Sequence, residues 1–85
     1  MDFRWIPWNE DHIARHGVSP PEAEMVVRGA KRPYPKKHED EKWLVRGRGQ
    51  GGRLVQVIFL LDEDDTVFVI HARPLTEKEK RAFRK

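Results

Sequence analysis

Cysteine is absent from this 85-residue chain, which excludes a disulfide framework and any thiolate metal site. The absence agrees with a reducing compartment. No apolar run is long enough to cross a bilayer; the longest, Val57 to Leu61, makes a strand at most. The opening MDFRWIPWNE is acidic and aromatic, unlike the basic-then-apolar pattern of a secretory leader. The expectation is a soluble cytoplasmic protein without a membrane partner. A chain this short makes one domain, residues 1–85, and buries only about 60–65% of its unfolded surface.

Basic residues are missing from 54–72, which hold four acids, and charge elsewhere is equally uneven. Residues 1–27 carry two basic and five acidic groups, a net of −3. Residues 28–53 carry nine basic and three acidic groups, a net of +6, and 73–85 carry six and two, a net of +4. Such segregation fits either a polyanion-binding face or a solvated lysine-rich surface. Charged residues are 36% of the chain, yet its hydrophobic positions are patterned, which argues against disorder.

Asp2 to Trp5 alternates as a short edge strand does, and Pro7 breaks it. Asn9 reads as the cap of a helix over 10–16, with Trp8 and Ile13 as a hydrophobic staple and Gly17 past the last turn. A second helix opens on Ser19, Pro20 and Glu22, the spacing of a capping box, and ends at Gly29. Its apolar face is Ala23, Val26, Val27 and Ala30. The basic segment 30–38 (AKRPYPKKH) reads as a loop stiffened by two prolines.

Three strands follow, over 41–46, 53–61 and 66–73, joined by GRGQGG and by Asp62–Asp65. GRGQGG lacks the G-K-[ST] ending of a phosphate loop and opens no helix, so it reads as a hairpin turn. Thr76 and Glu79 form another capping box, starting a basic C-terminal helix. The predicted fold is α+β. An N-terminal strand and a three-strand antiparallel meander form the sheet, with two helices before the meander and one after it.

Two stretches, FRWIPWNEDHIARHGVSPPEAE and VIHARPLTEKEKRAF, together with the E-K-W strand and the glycine-containing hairpin between them, resemble the BrnT family of type II toxins. The resemblance runs nearly the length of the chain, in the family's order. It departs at His71, where the family commonly has serine, and at Lys42, where it often has arginine. The resemblance implies a RelE-like fold and a metal-independent endoribonuclease with no cofactor, arresting translation and growth. It also implies RNA as substrate and a BrnA-like antitoxin, a small DNA-binding protein, as partner. A homodimer and a toxin–antitoxin hetero-oligomer are both open. A non-catalytic RNA- or protein-binding module of the same fold is the alternative.

RNA cleavage without a metal needs a base for the 2′-hydroxyl, an acid for the leaving 5′-oxygen and cations for the phosphorane. Arg73, at the end of the last strand, suits the cation's role because its fork matches two phosphate oxygens. It can also pair with Glu77 or Glu79. Alternation predicts that it shares a face with His71, Val69 and Val67. His71 titrates near neutrality and suits proton transfer, or else sits half-buried against a backbone carbonyl. Arg46, with Lys42 and Arg48, forms an alternating stripe able to hold phosphates, or a charged edge that blocks aggregation.

Lys78, Arg81 and Lys85 stand on one face of the last helix, which either grips RNA or stays solvated, with Ala82 and Phe83 anchoring the other side. Tyr34 can stack on a base or plug the core edge. His12 and His16, four apart, are weak evidence for a metal without a third ligand.

Overall fold

A computed structural model describes residues 1–84. Lys85, the last member of the basic helix face, lies outside the described residues. The chain forms α1 (Pro7–Ala14), α2 (Pro20–Arg28), β1 (Lys36–Lys37), β2 (Trp43–Arg48), β3 (Leu54–Leu61), β4 (Val67–Pro74) and α3 (Glu77–Phe83). The fold is α+β, with an antiparallel sheet in the order β1-β2-β3-β4. No helix among the described residues is long and apolar enough to cross a membrane.

The fourth strand differs from the expected one. Lys36 and Lys37, read as loop, pair with Leu44 and Trp43 to make β1. The N-terminal segment adds only a parallel bridge, Phe3 to Val67, because Pro7 begins a helix directly after it. That proline takes the first helical position, where its missing N–H costs nothing. Asn9 is therefore not the cap. It is the third residue of the helix and fully buried, where its Oδ1 accepts the Ile6 N–H at 2.8 Å and its Nδ2 donates to the carbonyls of Arg4 and Val69. One side chain thus satisfies the N–H of Ile6, the N-cap residue, and pins α1 to the outer strand of the sheet. Trp8 forms no staple with Ile13; it is exposed and stacks on His12 and Phe68.

Ser19 caps α2, accepting the Glu22 N–H, but Glu22 does not complete the box. Its carboxylate is buried and turns to the β2–β3 hairpin, where it accepts from Arg53 and from the Gln50 N–H. A β-carbon on Gly49 would lie 2.4 Å from that carboxylate, so a larger residue there would push the Glu22 side chain out of place. GRGQGG is thus the expected hairpin turn, tied to α2 by one buried acid.

Val45, Val57 and Ala72 stand in register across the three long strands and pack under Ala23, Val26 and Val27 of α2 and Ile13 of α1. A bulge between Ile58 and Phe59 changes the alternation of β4. Before it Val67 and Val69 face the core; after it Ala72 does. The extra residue leaves His71 and Arg73 together on the opposite face, paired with Ile58 and Gln56. The expected sharing of a face with Val67 and Val69 fails for that reason.

Candidate nucleic-acid interface

Across the sheet face opposite α1 and α2, Arg46, Gln56 and Arg73 occupy neighbouring positions on β2, β3 and β4. The two arginines converge on one carboxylate. Glu79 of α3 accepts two bonds from Arg73, at 2.7 and 2.8 Å, and a third from Arg46 at 3.3 Å. It also accepts the Thr76 N–H, closing the α3 capping box. Gln56, itself buried, takes the Arg46 Nε–H at 3.0 Å. Bonding to Arg73 first, then to Thr76, holds the Glu79 carboxyl down at about 2. The same bond raises Arg73. Two cations against one acid leave this cluster with one net positive charge, and the Nε–H of Arg73 has no partner among the described residues.

His71 lies beside this cluster, half-buried. Burial lowers its pKa, reinforced by the neighbouring Arg73 cation. Its ring centroid is 5.8 Å from that of His16, an exposed residue at the end of α1. A histidine just past α1 and one of β4 are therefore brought close, their rings tilted by 57°, although 55 positions separate them in sequence. In sequence His16 stands out only as half of a weak metal pair with His12; its approach to His71 has no local signature. Among the described residues no three histidine, aspartate or glutamate side chains converge as a metal-ligand set.

On the other side of the Glu79 cluster opens a groove of about 660 Å3 between the 31–35 loop, β2 and α3. Lys31, Arg32, Arg46 and Arg48 line it, with Tyr34 and Phe83 as its aromatic wall. The two rings are within 21° of parallel, with centroids 6.4 Å apart. Lys31 and Arg32 have no ion-pair partner among the described residues. Arg48 gives one N–H to the Gly52 carbonyl. Tyr34 both plugs the core edge and lines the groove.

The alternating stripe is shorter than expected. Arg46 and Arg48 share a face of β2, but Lys42 precedes the strand, with its backbone bonded to Glu39 and His38 in the preceding turn. On α3, Lys78 and Arg81 are exposed. Phe83 is half-buried against Tyr34, whereas Ala82, expected to anchor the helix, is exposed. Compared with protein-family models, curated proteins and solved structures, the chain has no match.

Proposed function

We propose that this chain is a cytoplasmic endoribonuclease of the toxin–antitoxin kind, cutting RNA at the sheet end where His71, His16 and Arg73 meet and arresting growth until a partner protein neutralises it. The observation that carries the reading is the 5.8 Å approach of His16 to His71 beside Arg73. Two imidazoles bonding the same phosphate, each at about 2.8 Å, require a separation of this order.

His71, kept neutral by burial and the neighbouring Arg73 cation, takes the proton from the 2′-hydroxyl. The freed oxygen attacks phosphorus, the bond to the 5′-oxygen breaks, and His16 returns a proton to that oxygen. A 2′,3′-cyclic phosphate and a 5′-hydroxyl result. Arg73, through its Nε–H, which has no partner among the described residues, stabilises the charge that builds on the phosphorane. No metal is required by this scheme, since proton transfer and charge stabilisation are both supplied by side chains.

One observation favours a second reading, a non-catalytic binding module. Arg46 and Arg73 are already committed to Glu79 in a cluster that also caps α3. In that reading the cluster is structural, and polyanion binding falls to the remaining cations. Induced expression in a bacterial host separates the two. Wild type arrests growth and depletes RNA, while His71→Ala and Arg73→Ala, folded by circular dichroism and matched in soluble level, do not. Absence of arrest by well-folded wild type, with salt-sensitive RNA binding retained, selects the binding module.

A further inference from the structure

We propose that the groove between the 31–35 loop, β2 and α3 holds one unpaired nucleotide of the RNA strand, its base against Tyr34 and Phe83 and its flanking phosphates on Lys31, Arg32 and Arg48. This rests on the RNA reading above and extends it from the bond cut to how the strand is held.

Four features of the groove point to a nucleotide. Its volume, about 660 Å3, falls within the range of sites that take a small organic ligand. Its aromatic wall comes from two segments far apart in sequence, Tyr34 of the loop and Phe83 of α3, and both rings are half-buried yet line the opening. Among the described residues, four of those lining it are cationic and none is acidic. Finally, Lys31 and Arg32 carry no ion pair among the described residues, so they meet a phosphate without first breaking a bridge. A flat π-face surrounded by unpaired cations is the arrangement by which proteins hold single strands, because every base has a face to stack and every linkage a charge.

Arg46 connects this groove to the cutting site. It lines the groove and shares Glu79 with Arg73, so a strand seated in the groove continues over the arginine pair toward His71 and His16. A duplex does not fit this description, since its bases are stacked on each other and cannot reach the wall.

The test is fluorescence anisotropy with a 2′-O-methyl RNA hexamer, which lacks the attacking hydroxyl and so is bound but not cut. Wild type is expected to bind the single strand and to bind the same sequence as a duplex more weakly. Tyr34→Ala weakens single-strand binding by roughly tenfold or more, while Tyr34→Phe, which keeps the ring, restores it. Lys31→Ala with Arg32→Ala reduces the slope of log affinity against log salt by about 1.4, whereas Tyr34→Ala leaves the slope unchanged.

A hexamer of abasic sugar-phosphate gives the same answer without any substitution. Loss of affinity on wild type supports the groove even if Tyr34→Ala does not fold. If wild type binds RNA but Tyr34→Ala and the abasic strand bind equally well, the groove proposal falls and the RNA reading stands. If wild type binds no RNA, the RNA reading itself fails. Binding of an acidic peptide with the same dependence on Tyr34, and of RNA with none, makes the groove a protein dock and overturns the proposal.

Discussion

Glu22 carries more of the structure than its place in an apparent capping box suggests. Its carboxylate is buried, and Arg53 and the Gln50 N–H hold its pKa down against the burial that raises it. Replacing it with Gln leaves Arg53 facing a neutral partner and is expected to cost about 2–3 kcal/mol, since Arg53 is itself partly exposed to water. Urea denaturation measures this. A depressed acid stabilises above its ordinary pKa of 4.5, and that contribution is lost as pH falls through the folded value; Glu22→Gln loses this part of the acid sensitivity. Gly49→Ala, which drives a methyl into the same carboxylate, is expected to destabilise by about 1–3 kcal/mol in the same assay. His71 titrates with the opposite charge type. Its lowered pKa keeps it neutral to below pH 6.5, so the native state resists protonation and loses stability as pH falls through the folded value. An NMR titration is expected to place its midpoint under 6.5. At this scale the sequence shows residue type but not partner. In sequence Arg73 reads as a phosphate cation before it reads as the mate of Glu77 or Glu79, and only the approach of α3 decides which contact forms in the free chain.

Helix starts were largely legible because capping is local. Ser19 and Thr76 cap where their spacing predicts, each accepting the N–H three residues on. Thr76→Ala is therefore expected to cost about 1 kcal/mol, read from thermal unfolding. The first helix was misplaced because Asn9 suits a cap by type, yet its amide is worth more buried, where one donor reaches the β4 carbonyl of Val69. The β4 bulge was invisible for a related reason: alternation assumes an unbroken ladder, and a single extra residue at Ile58/Phe59 changes the parity of everything after it. The α3 helix depends on Glu79, which serves both its cap and the two arginines. Glu79→Gln is expected to lower stability at neutral pH and, by releasing positive charge on Arg46 and Arg73, to raise RNA affinity at low salt. Wild type loses this helix's anchoring as pH falls from 4.5, the ordinary value, through about 2; the variant shows no such acid step.

For the molecule as a whole, the block pattern of charge predicted a basic middle and a basic end but not which cations remain available. Folding commits Arg53, Arg46 and Arg73 to internal acids and leaves Lys31 and Arg32 without an ion pair among the described residues, beside an aromatic wall. Neither the groove nor the His16–His71 approach follows from local pattern, because each joins segments about fifty residues apart. The central claim, that this junction cuts RNA, is tested most directly by incubating purified protein with an end-labelled RNA and identifying the product termini. Wild type is expected to leave 2′,3′-cyclic phosphate and 5′-hydroxyl ends, with the rate falling by about 100-fold or more in His71→Ala and in His16→Ala. Cleavage that persists unchanged in both variants, or no cleavage by folded wild type, contradicts it.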